Sequence, residues 1–111
     1  TAEALSAIDD VSSQILWRQV RAHLLASRGE HDEAERLARE AVALVETTDM
    51  LNWHGRALTG LAEVCVLVGN ADEARGQLER ALDLYELKGN LVAVTRVRGR
   101  LEELKAAAVT P

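Results

Sequence analysis

Phenylalanine is absent, and two tryptophans and one tyrosine make up the whole aromatic content of 111 residues. A core without many rings has to be assembled from Leu, Val and Ala, and with 48% apolar residues that material is available. The one proline is Pro111, the last residue, so no interior helix is interrupted by proline. The single cysteine, Cys65, excludes an intrachain disulfide and accords with a reducing cytosol. A cationic excess is missing too: 13 Lys and Arg stand against 18 Asp and Glu, a net charge of −5 that argues against nucleic-acid binding. The longest apolar runs, Ala41 to Val45 and Val64 to Val68, are far too short to span a bilayer. No charged-then-apolar signal segment opens the chain. These absences lead us to expect a cytoplasmic protein with neither a nucleic-acid partner nor a membrane. The start at Thr1, without Met, fits an excised or processed piece of something longer.

What is present is a repeat. Gly29-Glu-His-Asp-Glu-Ala34 returns 40 residues later as Gly69-Asn-Ala-Asp-Glu-Ala74. At the same offset Ala22 meets Ala62, Ala38 meets Leu78, and Ala41 meets Ala81. Self-similarity at such a period marks a unit that cannot bury its apolar face alone and stacks on its neighbours.

Taken in order, residues 1–8 read as the remnant of a preceding helix, which Asp9 and Asp10 interrupt. The next helix, Val11 to Arg28, carries Val11, Ile15, Leu16, Trp17, Val20, Ala22, Leu24 and Leu25, a girth wide enough to be packed from more than one side. Gly29 stops it. A return helix starts near His31 with Ala34, Leu37, Ala38, Ala41, Leu44 and Val45 inward, and Glu35 placed to pair with Arg39. Thr47-Thr48-Asp49 ends it and supplies the next cap. The second leading helix is lined by Leu51, Gly55, Leu58, Leu61, Ala62, Cys65 and Val68, and Gly69 breaks it. Asn70 with Glu73 makes a capping box for the second return helix, whose inward set is Ala74, Leu78, Ala81, Leu82 and Tyr85. Gly89-Asn90 ends that helix, and a fifth follows with Leu91, Val94, Val97, Leu101 and Leu104 inward. The division is thus a remnant over 1–8, repeats over 9–48 and 49–88, a capping helix over 89–107 and a tail over 108–111.

The small residues at the helix crossings (Ala22, Ala34, Ala41 and Ala62, Ala74, Ala81) and the glycines between helices resemble the tetratricopeptide repeat family. Departures are visible: a period of 40 against the family's roughly 34, Leu25, Cys65, Ala38 and Leu78 where large aromatics are expected, and no proline closing each repeat. The resemblance implies an all-α, right-handed helical solenoid of two hairpins plus a C-terminal capping helix. A long variant of this kind looks like the C-terminal repeats of bacterial multidomain regulators, either signalling ATPase and nucleotide-cyclase proteins or ATP-dependent transcription activators. That likeness is carried by Leu61-Ala-Glu-Val64 and Leu84-Tyr-Glu-Leu-Lys-Gly-Asn90.

No chemistry is legible. His23, His31 and His54 lack metal-ligand spacing, Cys65 sits on a packing face, and the span from Gly55 to Gly60 is no phosphate loop. The expectation is therefore no enzyme, no metal and no cofactor. The resemblance instead implies a concave groove along the leading helices, lined by Gln19, His23 and Ser27, by Asn52, Arg56, Thr59 and Glu63, and by Arg96, Arg100 and Glu103. Its occupant would be a protein or peptide partner, or another domain of the parent chain. A carboxylate clamp of the chaperone-binding type is incomplete here, because Gln19, His23 and Gly60 replace its Lys and Asn residues. The alternatives are a sensor closing on a peptide or small ligand, and a structural or dimerisation spacer. Trp17, Val20 and Leu24 beside residues 1–8 further lead us to expect a homodimer through the N-terminal face.

Overall fold

A computed structural model describes the backbone of residues 2–109 and the side chains of residues 11–108. Five helices follow one another: α1 (Ala2–Ser27), α2 (His31–Glu46), α3 (Leu51–Leu67), α4 (Ala71–Lys88) and α5 (Leu91–Val109). Among the described residues there is no strand.

Three of the four turns are built the same way. Gly29, Gly69 and Gly89 adopt positive φ of 83°, 88° and 81°, the left-handed region that glycine enters without a Cβ penalty. The residue after each glycine donates its amide back to the carbonyl of the helix's last full turn: Glu30 to Leu25 at 2.9 Å, Asn70 to Cys65 at 2.8 Å and Asn90 to Tyr85 at 2.9 Å. The fourth turn, between α2 and α3, has no glycine. There Thr48 Oγ1 donates to the Val45 carbonyl at 2.7 Å and accepts the Met50 amide at 3.2 Å, which closes the turn; the next cap expected of Thr47-Thr48-Asp49 is not supplied, because the N-cap of α3 is Met50, without a side-chain cap bond. Asn70 accepts the Glu73 amide at 3.3 Å as the capping box requires. Asn90 also caps α5, accepting from the Ala93 amide at 3.2 Å.

Neighbouring helices pack antiparallel in pairs, α1 with α2 and α3 with α4, and α3 lies against α2 and α1 of the first pair. The small residues are where the helices meet: Ala22, Ala34, Ala41, Ala62, Ala74 and Ala81 are all 0% exposed. One continuous core runs from Ile15 to Leu104, closed at the C-terminal end by Ala93, Val94, Val97 and Leu104 of α5. The body measures 55 × 32 × 18 Å, a slab about two helices thick.

Several expectations are corrected. Asp9-Asp10 does not interrupt the first helix: α1 passes through it. Residues 2–27 hold neither Gly nor Pro, and an aspartate inside a helix costs well under about 1 kcal/mol, too little to break it. The wide apolar girth of α1 is only half used. Ile15, Ala22 and Leu25 are buried, but Leu16, Trp17, Val20 and Leu24 are exposed. Leu44 faces outward while Val42 takes its place in the core, and Leu91 is exposed while Ala93 is buried. In each case a neighbouring apolar residue one or two positions away satisfies the packing, which periodicity alone does not resolve.

Candidate functional site

The leading helix of the second pair, α3, forms the wall of a groove of about 790 Å³. Asn52, Arg56, Thr59 and Glu63 recur at steps of three and four and so share one face of α3. Gln19, Val20 and His23 of α1 form one side, Tyr85 of α4 the floor, and Asn90 and Arg96 the other side.

Two glycines of α3 let neighbours approach its backbone. The Tyr85 ring lies on Gly55, where a Cβ would sit 2.6 Å from Cζ. The Gln19 side chain crosses Gly60, where a Cβ would fall 2.5 Å from Nε2, and that amide donates to the Arg56 carbonyl at 2.7 Å. Thr59 Oγ1 donates to the Gly55 carbonyl at 2.8 Å. At one end Asn90 Nδ2 donates to Asn52 Oδ1 at 3.1 Å, tying the start of α5 to the start of α3.

The charges sort into paired and unpaired. Arg100 grips Glu63 with two parallel hydrogen bonds of 2.8 Å and also reaches Glu103 at 2.9 Å. The Glu63 contact, with Glu103 adding to it, holds the Arg100 guanidinium in its charged form far above its ordinary range. Arg56 stacks over Trp53 at 5.4 Å from the ring centre. Among the described residues neither Arg56 nor Arg96 makes an ion pair. Burial pushes the Tyr85 phenol up, while Arg96, Thr59 and Arg56 pull it the other way, which puts both free guanidinium groups within electrostatic reach of the floor. The groove therefore offers two uncompensated cations, while the carboxylate that lines it is neutralised.

The structure brings together seven of the ten residues expected in the groove: Gln19, His23, Asn52, Arg56, Thr59, Glu63 and Arg96. Ser27 lies outside it, its hydroxyl donating to the His23 carbonyl at 2.9 Å. Arg100 and Glu103 do not line it either, because Arg100 is turned onto Glu63. Sequence reasoning missed Val20, Trp53, Tyr85 and Asn90 as groove residues, and saw Gly60 only as a gap in a clamp. Gly60 lay in plain view on the line from Arg56 to Glu63; Tyr85 had no such signal, since its spacing marks it as core.

Elsewhere, no group of three or more His, Cys, Asp or Glu converges among the described residues. Cys65 is buried, and burial pushes its thiol up to about 11, which leaves it protonated at neutral pH. No helix among the described residues is long and apolar enough to cross a membrane.

A family profile for the tetratricopeptide repeat matches residues 12–86. The chain belongs to the tetratricopeptide repeat family. That match takes in both hairpins, from the first turns of the groove-lining part of α1 to the end of α4. Tetratricopeptide repeats generally mediate protein–protein interaction and are generally non-catalytic. No curated protein and no solved structure matches the chain.

Proposed function

We propose that the chain is a non-catalytic protein-interaction module whose groove takes an acidic segment, supplied by a partner protein or by another part of its own polypeptide. The observation that carries this reading is the charge pattern: Arg56 and Arg96 are unpaired across the Tyr85 floor, and Glu63 is cancelled by Arg100. An acidic side chain entering there meets two guanidinium groups, one of them pre-oriented on Trp53, without facing an opposing carboxylate. Ser27 and Glu103 play no part in this reading, and Arg100 serves it by neutralising Glu63.

A fluorescein-labelled Glu-rich peptide and its Gln counterpart test it. The Glu peptide should bind more tightly, its affinity should fall as salt rises, and Arg96→Glu should weaken it without lowering the melting temperature, because exposed charges are screened beyond about 8 Å at physiological ionic strength. Equal affinity for the two peptides, indifferent to salt and to Arg96→Glu, would exclude an acidic occupant. The finer reading, a module inside a bacterial signalling or transcription regulator, is supported by the two short runs Leu61–Val64 and Leu84–Asn90 alone.

The groove volume also favours a second reading, a small-ligand or peptide sensor, since about 790 Å³ lies within the roughly 300–1,000 Å³ common for ligand pockets. Thermal stabilisation by a small organic anion that leaves peptide binding undetectable would favour it.

A further inference from the structure

We propose that the acid this groove takes is a phosphate on a side chain of the docked segment, held between Arg56 and Arg96, so that docking depends on phosphorylation of that segment. The proposal rests on the reading of the groove as a site for an acidic segment and names the acid.

The two ties between α3 and α5 give the geometry. Asn52 meets Asn90 at 3.1 Å and Glu63 meets Arg100 at 2.8 Å. Asn52 and Glu63 are eleven residues apart, Asn90 and Arg100 ten, so the two helices run in the same direction and nearly in step across the groove. Arg56 and Arg96 both line the groove between these ties. Arg56 stands four residues past Asn52 and Arg96 six past Asn90, and at 1.5 Å per residue the two are within about 5 Å of the same level. Arg96 precedes Arg100 by one turn and Arg56 precedes Glu63 by two, so the free pair and the bridged pair share the same helix faces. The bridge measures the gap: one glutamate and one arginine span it with two hydrogen bonds of 2.8 Å. Two arginines reach farther than a glutamate and an arginine, so one compact group at the level of Arg56 and Arg96 is within reach of both forks. Tyr85, seated on Gly55, floors the same gap, and its phenol feels both guanidinium groups.

Charge and acceptor count decide which group it is. Glu63 shows within this molecule what a carboxylate does: its two oxygens take two donors of a single guanidinium, and one charge cancels one. A carboxylate placed between Arg56 and Arg96 would satisfy one fork and leave one cation uncompensated. A phosphate monoester carries about −1.5 to −2 at neutral pH and offers three terminal oxygens, which matches two guanidinium groups in charge and in acceptors. Arg56 is already ordered over Trp53 at 5.4 Å from the ring centre. The groove runs on past the two arginines to Asn52 at one end and to Gln19 and His23 of α1, more length than a free phosphate uses, so the phosphate arrives on a segment.

Peptide pools of random sequence on both sides of one fixed central residue test this by fluorescence polarisation, the fixed residue being phosphoserine, glutamate or serine. In phosphate-free buffer the phosphoserine pool should bind at least about tenfold more tightly than the glutamate pool, the worth of one further charge-assisted hydrogen bond. Arg56→Gln and Arg96→Gln should each bring phosphoserine down to the level of glutamate at the melting temperature of the parent, since both side chains are exposed. Should Arg56→Gln lower the melting temperature through loss of its Trp53 contact, Arg96→Gln carries the test alone. Arg98→Gln, whose side chain pairs with Glu86 outside the groove, should leave the preference untouched. Equal affinity for phosphoserine and glutamate, both above serine, would overturn the phosphate and leave the acidic-segment reading standing. No difference among the three pools would overturn both. A phosphoserine preference that survives Arg56→Gln and Arg96→Gln would overturn the proposal by placing the site elsewhere. So would inorganic phosphate that displaces the labelled pool at the same concentration as unlabelled phosphoserine peptide, since the segment would then contribute nothing.

Discussion

At the scale of single residues, the groove depends on two places where α3 lacks a Cβ. Gly55→Ala would drive a methyl group into the Tyr85 ring, which is 4% exposed and has core on its other sides. Overpacking of this kind typically costs about 1–3 kcal/mol, against about 1 kcal/mol regained from helix propensity. We expect net destabilisation in urea melts and weaker peptide binding through the displaced floor. Gly60→Ala meets only the end of a flexible glutamine, so it should keep the stability of the parent while shifting Gln19. His54 is a second residue-scale case. Its Nε2 is buried without a partner, and burial, then Arg80, hold the imidazole below its ordinary 6.5, with Glu46 opposing. The unfolded chain therefore takes up the proton more readily than the folded one. Stability from this group is complete above about pH 6.5 and declines as pH falls from there toward the folded value. Melting temperatures between pH 7 and 5 should fall less steeply in His54→Gln than in the parent.

At the scale of elements, the helices are held in two different ways. Within each pair and between α2 and α3, contact is mainly through buried alanines and branched aliphatics, with the Tyr85 ring on Gly55 in the second pair. Ala34→Leu and Ala74→Leu should each cost about 1–3 kcal/mol by overpacking a crossing, while Leu at half-exposed Glu40 should do little beyond loosening its links to Arg18 and Arg36. Urea melts in which all three substitutions are equally mild would move the crossings elsewhere. Between α3 and α5 the ties are polar side chains, Glu63 to Arg100 and Asn52 to Asn90. Both members of the ion pair keep about a third of their side-chain surface in water, at 33% and 30%. A double-mutant cycle with Glu63→Gln and Arg100→Gln should therefore find no more than about 1 kcal/mol of coupling. The larger effect of Arg100→Gln should be on binding, because it releases the Glu63 carboxylate into the groove.

At the scale of the whole molecule, a single apolar cluster joins all five helices. Two pairs that share a core at the α2–α3 contact should unfold together. Circular dichroism at the helix band, Trp17 emission and Trp53 emission, the latter two separated by Trp→Phe variants, should give one common urea midpoint. Distinct midpoints for Trp17, in the first pair, and Trp53, in the second, would show that the pairs are separately stable.

Much of this was written in the sequence, and for a physical reason. Helix starts and stops are local: Gly29, Gly69 and Gly89 go left-handed because only a residue without a Cβ does so freely, and Asn70 caps the residue three places on. The 40-residue offset then determines the architecture, since equal units make equal contacts. Tertiary structure decided what spacing cannot: which of two adjacent apolar residues turns inward, as with Val42 over Leu44, and which polar residues on a common line remain free. Arg96 and Arg100 are four apart on one face of α5 and look alike as sequence. Only the position of α3 shows that Arg100 meets Glu63 and is consumed, while Arg96 meets no carboxylate among the described residues and stays available. Tyr85 likewise reads as core by its period, and becomes the groove floor because Gly55 on another helix lets its ring reach the far side.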